Sequence, residues 1–92
     1  MPGLYGFAFT EAALKFLESG VPTKFQGQIK KKIATLATNP HPPGCKKLQG
    51  VGDGNDDVYR VRSGDYRVLY VVKDNPSQII ILDIGHRKEV YR

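Results

Sequence analysis

The sequence predicts a small α+β domain in which two N-terminal helices pack on a mainly antiparallel sheet. Apolar residues recur at helical spacing in the first half of the chain, and three short apolar runs separated by turn sequences fill the second half. A length of 92 residues is enough for one modest core. We therefore expect a single domain over residues 1–92, with the element order β-α-α-β-β-β.

The first strand and the first helix follow each other directly. The aromatic, apolar segment LYGFAF at residues 4–9 predicts the strand. Thr10 can then cap a helix over TEAALKFLES, in which Glu11 lies favourably in the first turn and Gly20 ends the helix.

A second helix opens at Pro22, because proline is tolerated in a first turn, and it ends before NPHPPG at residues 39–44. The three consecutive lysines at residues 30–32 lie opposite its apolar side, and we expect them to form a solvated face rather than a binding surface. The apolar stripe of this helix consists of Phe25, Ile29, Ile33 and Leu36.

Three strands are predicted in the second half, after a loop-like segment at residues 45–57. They are VYRVR at 58–62, YRVLYVVK at 66–73 and QIIILDI at 78–84. The connectors SGD and DNPS are short turn sequences, so the strands should form an antiparallel meander. The last strand is apolar on both parities, which indicates that both of its faces are covered.

The composition indicates a basic, cytoplasmic protein. A net charge of +5 and a pI near 9.5 favour a polyanionic partner, nucleic acid first, with an acidic protein or an anionic membrane surface as alternatives. Neither a membrane-spanning run nor an export signal is present, so we expect no membrane association. The single cysteine, Cys45, can form no internal disulfide, and we interpret it as a loop thiol.

Charged and aromatic side chains gather around the predicted strands. Arg60 and Arg62 share a parity and project to one face of the sheet, Arg67 follows the SGD turn, and a further group follows the last strand. The guanidinium group of arginine binds phosphate oxygens in bidentate fashion. Aromatic rings beside the arginines could stack on unpaired bases, and the candidates are Tyr59, Tyr66, Tyr70 and Tyr91. The predicted cluster comprises Arg60, Arg62, Arg67, His86, Arg87 and Tyr91, with RNA contacts from Lys46, Lys47, Tyr59 and Lys88.

The alternative interpretation is that these residues form an ordinary strand surface and no functional site. Arginine alternating with valine is also typical of a solvent-exposed strand face, and most strand tyrosines serve packing. His86 and Arg87 stand apart, because they directly follow a fully apolar strand, where functional residues often lie.

Other chemistries find little support in the sequence. The acidic residues Asp53, Asp56 and Asp57 lie in a glycine-rich segment without the spacing of an EF-hand. A phosphate-binding loop, a zinc cluster and a Ser-His-Asp arrangement are all missing from a chain with two histidines. We therefore expect neither a metal nor a cofactor.

The segments KKLQG, YRVRSGDYRVLYVV and GHRKEVYR, with the order of the elements, resemble the RelE branch of the RelE/ParE toxin superfamily. The resemblance covers nearly the whole chain. It implies the RelE-like fold, a toxin of a toxin–antitoxin pair, and a cognate RelB-like antitoxin as partner, with operator DNA contacted only through the antitoxin complex.

The resemblance also implies an activity. RelE toxins are metal-independent mRNA endoribonucleases that act in the decoding site of the ribosome and use the message's own 2′-hydroxyl as nucleophile, leaving a 2′,3′-cyclic phosphate and a 5′-hydroxyl. The functional positions of the family fall here on Arg60, Arg62, Arg67, Arg87 and Tyr91.

One departure concerns the proton acceptor. The best-known RelE pattern has lysines at the positions of Arg60 and Arg62, and one of them is proposed as the general base. An arginine side chain keeps its proton at neutral pH and so cannot accept another one there. Histidine titrates near pH ~6.5, so either His86 transfers the proton or it is a strand-end residue without a role.

Two further functions stay open. A ParE-like toxin poisons DNA gyrase and lacks RNase activity, and such toxins generally lack the C-terminal arginine and tyrosine that this chain has as Arg87 and Tyr91. A degenerate toxin would only bind its antitoxin and operator DNA as a regulator, and the replacement of lysine by arginine is compatible with that function.

Overall fold

The computed structural model describes residues 5–48, 57–74 and 77–86, and it has the predicted α+β fold. The helices are α1 (Glu11–Lys15), which continues as a π-helical turn over Phe16–Gly20, and α2 (Thr23–Thr35). The strands are β1 (Gly6–Phe9), β2 (Lys46–Leu48), β3 (Val58–Ser63), β4 (Tyr66–Asp74) and β5 (Ser77–His86).

All five strands form one mixed sheet in the order β1-β5-β4-β3-β2. The predicted meander is confirmed, because β3, β4 and β5 pair antiparallel in sequence order. β1 pairs parallel with β5, so the N-terminal strand lies at one edge of the sheet.

The prediction that residues 45–57 form only a loop is wrong for its first part. Lys46–Leu48 is the edge strand β2 and pairs antiparallel with β3. A three-residue strand with two lysines has no apolar period of its own, so its sequence gives no strand signal. The neighbouring strand supplies the hydrogen-bonding partners that make it a strand.

The predicted boundaries of the helices are confirmed. The Thr10 hydroxyl caps α1 by accepting a hydrogen bond from the Ala13 N–H at 3.2 Å. The π-helical turn ends at Gly20, where an added Cβ would lie only 2.7 Å from the Phe16 ring. Glycine therefore lets the Phe16 ring close against the backbone and reach Tyr66, whose ring centroid is 6.4 Å away.

The main core lies between the helices and one side of the sheet, which we call the helix-packed face. The predicted stripe of α2 supplies it, with Ile29, Ile33 and Leu36 buried and Phe25 half-buried. Within the described ranges, neither helix is long and apolar enough to cross a membrane. The sheet contributes Val61, Tyr66, Val68, Tyr70, Ile79, Ile81 and Ile84 to this core.

A second, smaller cluster lies on the other face of the sheet. Its buried members are Val58, Leu69 and Val71, and Ile80 and Leu82 of β5 pack against it. β5 therefore has apolar contacts on both faces, as its unbroken apolar run predicts.

A β-bulge interrupts the pairing of β4 with β5. Tyr70 pairs with Ile81 and Leu69 pairs with Asp83, so Leu82 is an extra residue in β5. The Thr10 hydroxyl donates a hydrogen bond to the Leu82 carbonyl at 2.6 Å, and the Thr10 N–H donates to the Ile81 carbonyl at 3.0 Å. One threonine therefore caps α1 and also holds the bulge.

Replacement of Thr10 by valine should lower the free energy of unfolding by about 2 kcal/mol. The variant loses an N-cap, which contributes ~1 kcal/mol, and it leaves a partly buried carbonyl without its donor. Thr10→Ser keeps the hydroxyl and serves as the control. Urea denaturation followed by circular dichroism measures both variants. Equal stability of the valine and serine variants would contradict this role of the hydroxyl.

Candidate functional site

The cross-strand register assigns the basic residues to the faces of the sheet. Side chains directly opposite each other in an antiparallel pair lie on the same face. Arg60 is opposite Leu69 and Lys46 is opposite Arg60, while Arg62 is opposite Arg67. Because Leu69 belongs to the second cluster, these four cations lie on the face away from the helices, which we call the arginine face. The predicted shared face of Arg60 and Arg62 is confirmed.

Two arginines stand directly opposite each other on this face. Arg62 and Arg67 are cross-strand partners, and like charges in such a pair destabilise a sheet. Arg62 is exposed and Arg67 is half-buried, whereas Arg60 beside them is only 6% exposed. Charges removed from water act more strongly on a bound anion. An anion between Arg62 and Arg67 could therefore contact both side chains at once.

A cavity of about 320 Å³ lies at the sheet edge beside the first residue of β2, where α2, β2 and β3 come together. β2 begins at Lys46, opposite Arg60, and β3 continues past that point to Ser63. The cavity is lined by Lys32, Pro43, Gly44, Lys46, Arg60, Val61 and Arg62, and we call it the basic notch.

Two of the three consecutive lysines of α2 are exposed to solvent, and the third lines the basic notch. Lys30 and Lys31 are exposed, as the prediction of a solvated face requires. Lys32 is half-buried and lines the notch, so the prediction is wrong for this residue. Helical periodicity places a residue on a side of its own helix, and it does not reveal which distant segment approaches that side.

A buried tyrosine anchors the loop that forms one wall of the notch. The Tyr70 hydroxyl donates a hydrogen bond to the Pro40 carbonyl at 2.6 Å, and the Cys45 N–H donates to the Pro42 carbonyl at 3.0 Å. Burial, with a smaller contribution from Cys45, raises the pKa of Tyr70 above its ordinary value, so the hydroxyl keeps its proton and remains a donor. Pro43 and Gly44 are thereby held beside the cations.

The aromatic side chains are used in packing. Tyr59 is opposite Tyr70 on the helix-packed face, and its ring lies between His41, with centroids 4.6 Å apart, and Tyr70, at 5.9 Å. Tyr66 and Tyr70 are buried in the main core. The expectation that these tyrosines lie beside the arginines is therefore wrong.

The two lysines of KKLQG lie on different faces. Lys47 is opposite Tyr59, away from the arginine face, and its Nζ lies 3.4 Å from Oδ2 of Asp57. Both side chains of this ion pair are about half exposed, so it contributes little to stability. Only Lys46 of the two lies with the arginines.

His86 does not lie with the arginines either, contrary to the expected convergence. It is opposite Tyr66, and the two rings meet edge to face with centroids 5.4 Å apart. The cause is the extra residue Leu82, which reverses the alternation of side chains in the rest of β5. An unbroken strand would turn His86 to the arginine face.

Three predicted site residues, Arg87, Lys88 and Tyr91, lie outside the described residues. Asp53 and Asp56 do as well. Among residues 5–48, 57–74 and 77–86, no group of three or more His, Cys, Asp or Glu side chains is placed to hold a metal ion.

Comparison with known proteins identifies the family. Residues 7–91 match the family model described as ParE toxin of type II toxin–antitoxin system. A candidate toxin named RelE1 from Methanocaldococcus jannaschii is 40% identical over 82 residues, which cover 86% of this chain and 86% of that protein.

Solved structures agree with the sequence match. RelE in the RelE–RelB complex from Pyrococcus horikoshii superposes with a TM-score of 0.76 at 29% identity, covering 95% of this chain and 99% of that chain. The isolated RelE toxin of E. coli superposes with a TM-score of 0.72 at 30% identity, covering 95% and 90% respectively. The chain therefore belongs to the RelE/ParE superfamily and is the toxin component of a type II toxin–antitoxin system.

Proposed function

We propose that this toxin is a ribosome-dependent mRNA endoribonuclease that works without a metal or cofactor and uses the substrate's 2′-hydroxyl as nucleophile. The observation that carries the proposal is the Arg62–Arg67 pair, two like charges directly opposite each other on a face that also presents Lys46 and Arg60. Such a face suits a phosphodiester, and the similarity to RelE toxins supports messenger RNA as its source.

The reaction is a transesterification within the message. The 2′-oxygen attacks the adjacent phosphorus and loses its proton, the bond from phosphorus to the 5′-oxygen breaks, and that oxygen takes up a proton. Negative charge builds on the non-bridging oxygens in the pentavalent transition state. Positioned donors at such oxygens contribute about 10²–10³ in rate each.

The arginines have distinct parts in this proposal. Arg62 and Arg67 grip the non-bridging oxygens from opposite strands, and the largely buried Arg60 supplies a charge that water screens weakly. By the resemblance to RelE, Arg87 stabilises the transition state, and Tyr91 stacks on a base or donates to the leaving oxygen. Lys46 and Lys88 hold the RNA backbone.

The proton acceptor is proposed to come from outside the arginine face. An arginine side chain keeps its proton at neutral pH, and His86 packs against Tyr66 on the opposite face. Charge stabilisation and positioning then carry the protein's share of catalysis, and the ribosome or solvent accepts the proton of the 2′-hydroxyl.

The proposed partner is a RelB-like antitoxin, since RelE is bound to RelB in the matching complex from P. horikoshii. A basic toxin is a natural target for an acidic, extended chain that folds on binding. We propose that operator DNA is contacted only through this complex, in the cytoplasm.

Inhibition of DNA gyrase is the second candidate function, because the matching family model carries the description of ParE. The two functions are separable in solution. The nuclease should truncate message in a translation extract, with a 2′,3′-cyclic phosphate and a 5′-hydroxyl at the cut, and should leave gyrase supercoiling unaffected. Inhibited supercoiling with intact message would favour the ParE activity, and a 3′-hydroxyl with a 5′-phosphate would indicate metal-dependent hydrolysis.

Removal of the charge at Arg62 should slow cleavage on programmed ribosomes by about 10²-fold, because the phosphate loses a donor as charge builds on it. Arg62→Lys keeps a charge and should retain appreciable activity. Lys31→Ala makes the same change of charge on an exposed helix position and is the control. Single-turnover rates on ribosome-bound message measure all three. Full activity of Arg62→Ala would remove this residue from the mechanism.

Replacement of His86 should leave the pH dependence of cleavage unchanged, because its ring faces Tyr66 and not the arginines. His86→Phe keeps a ring against Tyr66 and removes the titrating group, so it tests proton transfer with the packing preserved. The rate is measured from pH 5.5 to 8.5 (roughly the range across which histidine titrates). If the cleavage rate of wild type falls at one end of the pH range and that of His86→Phe does not, the proton transfer would instead be assigned to this histidine.

A further inference from the structure

We propose that Lys32 completes a phosphate-binding site in the basic notch, which holds a phosphate of the RNA backbone next to the one that is cleaved. The inference rests on the proposed function for the identity of the anion as RNA phosphate. It assigns a role to a helix residue that belongs neither to the strand arginines nor to the C-terminal segment.

The positive charge of the notch comes from three separate elements. Lys32 lies on α2, Lys46 begins β2, and Arg60 and Arg62 lie on β3. The seven described residues that line the cavity include four cations and no acidic side chain. Four cations around one cavity create a positive potential there, and an anion with two or three oxygens can contact several of them at once.

Two of the four cations of the notch are withdrawn from water, while the other two, Lys46 and Arg62, are exposed. Arg60 is 6% exposed and Lys32 is half-buried, whereas the neighbouring Lys30 and Lys31 are exposed. Exposed lysines are screened by water and salt, while cations at the wall of a cavity attract an anion more strongly. Lys32 is therefore the member of the lysine run that is placed to bind a ligand.

The wall opposite the cations is held in place. Gly44 has a φ of 92°, a left-handed conformation that glycine adopts readily, and it follows Pro43 in a turn closed by the hydrogen bond from Cys45 to Pro42. The Tyr70 hydroxyl fixes the same loop at Pro40. A fixed loop keeps the cavity open and so lowers the cost of ordering the site when an anion binds.

The position of Arg62 favours a nucleic acid over an acidic protein. Arg62 lines the notch and is also the partner of Arg67 on the arginine face. A backbone with a phosphate at every nucleotide can occupy the Arg62–Arg67 pair and the notch at the same time. A natural acidic peptide carries a carboxylate only at its Asp and Glu positions, so the spacing of its charges varies with its sequence.

The test measures the binding of purified full-length toxin to a 2′-O-methyl RNA decamer, which lacks the nucleophile and cannot be cleaved. Dissociation constants are determined over a series of KCl concentrations for wild type, Lys32→Ala, Lys32→Arg and Lys31→Ala. Each phosphate contact on a single strand contributes about 0.7 to the slope of log K against log salt. Lys32→Ala should lower that slope by about this amount and weaken binding roughly threefold to tenfold, since one contact is lost.

The control variants separate a built site from general charge. Lys31→Ala removes the same charge from the adjacent position and should change neither the slope nor the affinity, while Lys32→Arg should restore both. Equal effects of Lys32→Ala and Lys31→Ala would overturn the proposal. So would a Lys32→Ala variant that binds RNA normally and loses affinity only for a poly-glutamate peptide, because the notch would then be a carboxylate site.

Cleavage by the wild-type toxin on programmed ribosomes, measured in parallel, separates this inference from the proposed function. If Lys32→Ala lowers the salt slope but the wild-type toxin does not cleave message, the result would support the phosphate site and reject the nuclease. Cleavage by a toxin whose RNA binding is indifferent to Lys32 would support the nuclease and reject the phosphate site.

Discussion

The bulge at Leu82, which accepts a hydrogen bond from the Thr10 hydroxyl, sets which side chains at the end of β5 lie on each face of the sheet. Leu82 is the extra residue of the β5 bulge, and a bulge removes a carbonyl from the regular ladder. The same hydroxyl accepts the Ala13 N–H and so begins α1. Thr10 thus connects the end of the edge strand β1, the start of α1 and the bulge of β5. Beyond that point β5 presents its side chains with reversed parity, which turns His86 towards Tyr66 and the core.

The two faces of the sheet consequently carry different kinds of side chain. Aromatic side chains of β3 and β4 fill the space under the helices, and Tyr70 reaches past the core to hold the loop at Pro40. The cations collect on the other face, where Arg62 stands directly opposite Arg67. Natural proteins break local rules chiefly at their functional sites, and we propose that this pair of like charges serves the binding of an anion.

The sequence predicted those parts of the fold that depend on local signals. The cap at Thr10, the stripe of α2, the meander and the shared face of Arg60 and Arg62 all follow from spacing and turn residues. The features that it did not predict depend on contacts between distant segments. β2 is a strand only because β3 lies beside it, and the bulge at Leu82 is invisible in an unbroken apolar run. Lys32 reaches the site because a loop anchored by Tyr70 and a strand edge meet beside α2.

Arginine in place of lysine on β3 changes what this face can do. A lysine can lose its proton when its pKa is lowered, whereas an arginine remains a donor under all ordinary conditions. Arg60 and Arg62 are therefore suited to binding and to stabilising charge, and not to accepting a proton. Because Arg60 is nearly buried while Arg62 is exposed, salt should screen the second more than the first. In the proposed nuclease, the face would combine a fixed positive charge for the transition state with exposed cations for the RNA backbone. Under that proposal, catalysis depends on holding the phosphate in place, and the notch beside it would contribute by binding the neighbouring phosphate.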